Sequence, residues 1–181
     1  HFPFLRTGAD DADGALGVEL GFRTLLNHPT PRALAQVAVD APAVIAAPGG
    51  NLNVVIADVG NPQCAVDIAD LGQSSFGFDW QHLGAEIEAH PRFPRRANVS
   101  FFSRIEDNTI AARFFERGAG ATLSSGTGAT GAAVAAKARG LVEGPVTVRT
   151  EAGDLQIRWQ GADVFLAGPA QVSARGDYYA S

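Results

Sequence analysis

At 181 residues with 46% apolar content, the chain is long enough for one packed domain, or for a domain with part of another. Its net charge is -5 and its 14 Lys and Arg residues are scattered, which excludes the basic stripe that nucleic-acid backbones or anionic membranes require and points to a small-molecule or protein partner. The single cysteine, Cys64, excludes an internal disulfide framework and a multi-thiolate zinc site, and no apolar run approaches the roughly 20 residues that span a bilayer.

A cytoplasmic protein is expected, because one free thiol suits a reducing compartment and residues 1–7 lack the charged-then-apolar order of a signal peptide. The chain contains no methionine, so further sequence is expected to precede His1. Residues 1–49, rich in Gly, Pro, Ala and Asp, read as irregular structure with one or two strands, a remnant of or link to a preceding half-domain. Within them, residues 16–22 alternate as a strand does. Thr30 to Val39 reads as a short helix, with Thr30 capping Pro31 and Leu34, Val37 and Ala38 on one face.

A domain is expected over residues 50–175, with 176–181 as a tail. It begins with strands at 51–58 and 64–68, separated by the break Gly60-Asn61-Pro62. Asp79 is placed to cap a short surface helix from Trp80 to Ala89, with Leu83 and Ile87 on one face and His90-Pro91 as its end. The apolar runs 98–102 and 109–115 flank Glu106-Asp107-Asn108, a composition that predicts an antiparallel hairpin. Ser124 to Arg139 is the clearest helix. Its Ala-rich body, with Gly140 as a stop, is small and apolar on every side, as a helix inside a β-wrapped core must be. Strands are expected at 145–150, 155–160 and 163–167. The fold class is therefore α+β, with mostly antiparallel strands wrapped around a central helix. No internal repeat or low-complexity tract interrupts this pattern.

The stretch from Glu116 to Ala129 carries the most chemistry. It sets an acid and a base before a glycine-rich loop that opens a helix, where free N–H groups and the positive end of the helix dipole favour a carboxylate or phosphate. The same residues also suit a plainer role, in which Ser124, Ser125 and Thr127 cap the helix and the glycines allow close packing. The Gly-Lys-Ser/Thr ending of a P-loop and the glycine spacing of a dinucleotide fingerprint are both absent. His28, His82 and His90 have no partners at metal-ligand spacing. Asp10, Asp11 and Asp13 lack the Gly and final Glu of an EF-hand, so a metal is not expected. Trp80 and Trp159 read as packing residues.

Glu-Arg-Gly-Ala-Gly-x-Thr-Leu-x-Ser-Gly-Thr-Gly-Ala, from Glu116 to Ala129, resembles the second active-site signature of the diaminopimelate epimerase family, where a catalytic cysteine occupies the position of Ser125. Gly60-Asn61-Pro62-Gln63-Cys64 is similar to the family's Gly-Asn-Pro-His-Cys. Leu83-Gly84 through His90-Pro91-x-Phe93-Pro94, Arg96-Ala97-Asn98-Val99, Gly144-Pro145-Val146-Thr147-Val148 and Gly168-Pro169-Ala170 continue the likeness in register.

The resemblance implies two similar halves, each a sheet around a central helix, with an amino-acid substrate between them. It implies α-proton transfer by two cysteines without pyridoxal phosphate, metal or other cofactor, and pairing as homodimers. Residue by residue, Asn61, Asn98, Glu116 and Arg117 are expected to hold the distal end of diaminopimelate. The N–H groups of Gly126 and Thr127 are expected to grip the carboxylate beside the reacting carbon. Ser125 and Glu116 are the candidate catalytic residues.

Three departures qualify that implication. Serine is a far weaker acid than cysteine and needs a neighbouring base. Gln63 stands at the family's histidine and cannot exchange a proton near neutral pH. The first half's Cys-Gly-Asn-Gly loop is absent, and Cys64 matches a buried structural cysteine. Three accounts stay open: an enzyme whose other half supplies a base, a relative turned to isomerise or dehydrate another amino acid, or a catalytically silent amino-acid-binding protein.

Overall fold

Small side chains decide the centre of the molecule. In the computed structural model, which describes residues 5–7, 16–21, 38–47, 50–161 and 163–170, every residue of helix α2 (Gly126–Ala138) from Gly128 to Ala136 is buried. A helix so free of large side chains can be approached from many directions, and α2 is packed by strands from both arms of a single sheet.

Among the described residues that sheet has eleven strands: β1 (Leu5–Thr7), β2 (Leu16–Gly21), β3 (Ala38–Ala47), β4 (Gly50–Asp58), β5 (Pro62–Asp67), β6 (Asn98–Glu106), β7 (Thr109–Glu116), β8 (Gly120–Thr122), β9 (Val146–Thr150), β10 (Gly153–Gln160) and β11 (Asp163–Ala170). Their spatial order is β1-β2-β11-β10-β9-β7-β6-β5-β4-β3, with β8 added beside β7. All pairs are antiparallel except β5 with β6 and β7 with β9. A parallel pair needs a crossover, and helices supply both. Helix α1 (Trp80–Glu88) lies between β5 and β6, and α2 between β7 and β9.

The period-2 alternation of the strands sorts side chains onto two faces. Ala65, Phe102, Ile110, Ala112 and Phe114 face α2, joined by Val146, Val148 and Ile157 from the other arm. Cys64, Val66, Val99 and Phe101 face the opposite side, where Trp80 and Ile87 of α1 cover them. Phe101, Phe102 and Phe114 are fully buried, each stabilising the fold by about 1.5–3 kcal/mol relative to exposure.

Most of the expected elements are present. The strands at 51–58 and 64–68 correspond to β4 and β5, the hairpin to β6 and β7, the three C-terminal runs to β9, β10 and β11, and residues 16–22 to β2. Asp79 caps α1, its carboxylate accepting the His82 N–H at 3.0 Å. Trp80 is buried, and Trp159 packs against the α2 core with Lys137 Nζ 4.3 Å above its ring.

Other readings are corrected. Helix α1 is more than a surface helix: Trp80, Gly84, Ile87 and Glu88 are all buried, while Leu83 is only partly so. Ala38 and Val39 lie in strand β3 rather than at the end of a helix, and residues 30–37 of that expected helix lie outside the described residues. Pro42 masked β3 in the sequence. The register of β3 on β4 shifts between Asp40 and Ala43, the kind of irregularity at which a strand tolerates proline. Strand β8 was hidden inside the glycine-rich loop, where Gly120 pairs with Glu116. His28, Asp10, Asp11, Asp13 and the tail at 176–181 lie outside the described residues.

The C-terminal end of α2 is tied by charge, and α1 is seated by close approach. Arg139, the C-cap of α2, forks onto Asp70 at 2.5 and 2.9 Å, a bond that holds the Asp70 carboxyl below its usual range. On α1, a Cβ at Gly84 would stand 2.8 Å from Phe115 Cβ, so only glycine lets the helix lie this close to β7. Among the described residues no helix is long and apolar enough to cross a membrane.

We expect Gly84→Ala to destabilise the protein by about 1–3 kcal/mol in denaturant titration, because overpacking against Phe115 outweighs the helix-propensity gain of about 1 kcal/mol. An equal or higher unfolding midpoint would contradict this packing. Burial pushes the Cys64 thiol up from 9.0 to about 12. The folded state therefore favours the neutral thiol. Stabilisation from this site is complete below pH 9.0 and is lost as pH rises toward about 12. Iodoacetamide should leave Cys64 unmodified in the folded protein at pH 8 and alkylate it in denaturant. The stability advantage over Cys64→Val should shrink above pH 9.

Candidate functional site

The register of three strands brings the predicted residues to one end of the sheet. Gln63 at the start of β5 pairs with Asn98 at the start of β6, and Val99 pairs with Phe115, so Glu116 at the end of β7 falls beside Asn98. The chain then turns through Arg117 to Ala119, returns as β8, and enters α2 over the same end. Asn61 reaches this place from the β4–β5 turn, where Gly60 adopts a φ of +99°.

Ser125 is the N-cap of α2, extended at φ -146° and ψ 123°, and its Oγ accepts the Gly128 N–H at 3.1 Å. The hydroxyl proton goes elsewhere: Ser125 Oγ donates to Glu116 Oε1 at 2.6 Å. Ser125 is 6% exposed and Glu116 half-buried, so this short bond is only partly screened by water. The capping role raised for Ser125 is therefore real, and it coexists with a bond to the nearest carboxylate. The backbone N–H groups of Gly126 and Thr127 have no acceptor among the described residues. They are left for water or an anion at the positive end of α2.

Close packing of glycines sets this helix start. A Cβ at Gly128 would stand 2.6 Å from Phe114 Cδ1, and one at Gly131 would stand 2.9 Å from Gln63 Cβ. The two glycines seat the first turns of α2 directly on β7 and β5.

Asn61 donates through Nδ2 to Thr127 Oγ1 at 3.3 Å and accepts from Gln63 Nε2 at 2.7 Å. Gln63 is fully buried, and its Oε1 has no partner among the described residues. Asn98 has a different duty. Its Oδ1 accepts the Arg117 N–H at 3.0 Å and its Nδ2 donates to Pro62 O at 3.3 Å, so it ties β5 to the turn after β7.

Arg117 is exposed and forms no ion pair among the described residues. Its guanidinium donates to Arg95 O at 3.0 Å, a neutral acceptor that leaves its charge uncompensated. The turn beneath it is held on every N–H: Arg117 by Asn98, Gly118 by Glu88 Oε1 at 3.1 Å, and Ala119 by Glu116 O at 3.0 Å. Glu88, buried on α1, escaped the sequence reading, although its spacing of four from Gly84 already placed the two on one helix face. Arg96, at a φ of +58°, sets Nη1 3.3 Å from both Glu88 oxygens.

The remaining candidates do not join the cluster. His82 pairs with Glu86 at 3.3 Å on the exposed side of α1, and His90 Nδ1 accepts the Arg92 N–H. Cys64, next to Gln63 in sequence, points into the opposite core and is fully buried. Among the described residues no cluster of three or more His, Cys, Asp or Glu is placed to hold a metal ion.

A family profile described as Diaminopimelate epimerase matches residues 55–173. The chain is 40% identical over 131 residues to the diaminopimelate epimerase of Pelotomaculum thermopropionicum, covering 72% of this chain and 45% of that protein. It is 36% identical over 167 residues to that of an Azoarcus species, covering 91% and 58% respectively. It thus spans about half the length of the curated relatives it matches. Among solved structures, a hydroxyproline epimerase from Agrobacterium vitis superposes with a TM-score of 0.61 at 19% identity, covering 91% of this chain and 54% of that one. A phenazine biosynthesis protein from Bacillus anthracis superposes at 0.54 and 11%, covering 91% and 60%. At such identities the likeness establishes the α+β fold. With a family profile running through β5, the Glu116–Ala129 loop and α2 to beyond β11, the chain belongs to the diaminopimelate epimerase family.

Proposed function

We propose that this chain is the C-terminal half of a cofactor-independent, cytoplasmic amino-acid epimerase that interconverts LL- and meso-diaminopimelate, with residues 1–49 leading from a first half that completes the site. The observation that carries the reading is the Ser125–Glu116 bond at the start of α2, beside the N–H groups of Gly126 and Thr127, which have no acceptor among the described residues. Membership in the family and the names of its relatives support the substrate assignment.

In this reading the α-carboxylate lies on the N–H groups of Gly126 and Thr127, and Arg117 meets the distal carboxylate. Removing the α-proton leaves an electron pair on carbon that delocalises into the α-carboxylate. Fixed N–H dipoles at a helix start stabilise that charge without reorganising. Ser125 Oγ takes the α-proton as its own proton passes to the Glu116 carboxylate, so the net base is Glu116 acting through the hydroxyl. A group from the first half returns a proton to the opposite face. Asn61, steadied by Gln63 and Thr127, keeps one amide hydrogen available for the ligand, and Asn98 acts through the Arg117 turn.

The replacement of cysteine by serine, together with the non-titrating Gln63, favours a second reading. In it the site binds an amino acid without epimerising it, or applies a single base to a different one. Proton NMR of LL- and meso-diaminopimelate in deuterated water separates the readings. Deuterium entering the α-position supports an epimerase, whereas binding without exchange supports the silent relative.

Ser125→Cys should raise the exchange rate by about tenfold or more in the full-length protein, since a thiol is intrinsically the stronger acid and is further activated at a helix N-terminus. No gain in a folded variant would mean that the site has left epimerase chemistry. Arg117→Ala should weaken diaminopimelate binding by about 10- to 100-fold in calorimetry, the magnitude of a lost charge-assisted hydrogen-bond pair. Unchanged affinity would remove the carboxylate clamp.

A further inference from the structure

We infer that Glu88 is the positioning residue of the Arg117 clamp: a buried carboxylate on α1 that fixes, through the Gly118 N–H, the turn from which Arg117 projects. The inference rests on the reading of Arg117 as a carboxylate-binding residue.

A carboxylate that is only 6% exposed is costly to desolvate and persists where hydrogen bonds compensate it. Glu88 has two such partners, and both reach its Oε1. One is Arg96 Nη1 at 3.3 Å from each oxygen, on the segment that links α1 to β6. The other is the Gly118 N–H at 3.1 Å, in the turn one residue beyond Arg117. Arg96 is largely exposed, so its pairing is partly screened. The bond to Gly118 is what reaches the site.

The position of Glu88 is itself set by packing. Gly84, one helical turn before it, admits Phe115 to within contact, which anchors α1 on the residue preceding Glu116. Phe115, Glu116, Arg117 and Gly118 are therefore held in succession by α1, Ser125, Asn98 and Glu88. Glu88 is paired with Arg96, while the Arg117 guanidinium donates to the neutral Arg95 carbonyl.

The test compares two conservative variants in the full-length protein. Glu88→Asp keeps a charge beside Arg96 but, one methylene shorter, withdraws the acceptor from Gly118. Glu88→Gln keeps the length and an acceptor oxygen but removes the charge. Amide exchange at Gly118 should accelerate about tenfold in Glu88→Asp, and the Kd for meso-diaminopimelate should rise about tenfold, while Glu88→Gln stays within about threefold on both readouts. A merely structural Glu88 would lower the melting temperature of both variants alike and leave affinity unchanged. That result, or unchanged Gly118 exchange in Glu88→Asp, overturns the proposal with the clamp intact. If Arg117→Ala itself leaves the Kd unchanged, the clamp reading falls, and this proposal falls with it.

Discussion

Everything at the candidate site depends on how closely α2 can approach the sheet. A helix with ordinary side chains in its first two turns would be held farther from the ends of β5 and β7. Here Gly128 and Gly131 remove the Cβ atoms that would strike Phe114 and Gln63. The first turn of α2 therefore sits among the strand ends, close enough for Ser125 to bond Glu116 and for Thr127 to accept from Asn61. Ser100 on β6 donates to Gly128 O at 3.1 Å and fixes the same approach by a polar contact. Composition, packing and site chemistry are thus a single constraint: small residues let a dipole end reach a carboxylate.

Much of this was legible because local rules and tertiary demands agree. The Ala-rich body of α2, the Asp79 cap, the Glu106-Asp107-Asn108 turn and the alternation in β6 and β7 each announce their element, and the structure places them accordingly. The grouping of Asn61, Asn98, Glu116, Arg117, Ser125, Gly126 and Thr127 followed from a resemblance in motif order; no single motif could have located them relative to one another. What escaped was whatever depends on partners distant in sequence. Strand β3 is Ala-rich and contains Pro42, so its identity comes from pairing with β4. Strand β8 lies in a loop whose glycines advertise turns. Glu88 looked like a charge on an exposed helix because nothing local reveals that Gly118, thirty residues on, needs an acceptor.

Serine at position 125 fits the fold in two ways at once. A hydroxyl caps the helix and bonds the carboxylate with good geometry, so the fold registers no defect. In the proposed reading, however, proton transfer depends on the acid strength of that capping group. The neighbouring Cys64 cannot compensate, because burial in the opposite core keeps its thiol protonated.

The two crossovers also set the sequence distances over which the site is closed. Ser125 and Glu116 are nine residues apart, and Arg117 lies nineteen from Asn98, so these contacts close within the β6–β7 hairpin and the start of α2. The Asn61–Thr127 bond spans sixty-six residues and depends on β5 finding β6 in parallel. Loop closure of that length is the slower and more entropically costly step. The near half of the site therefore closes over short stretches of chain, whereas its far wall waits on a closure of sixty-six residues.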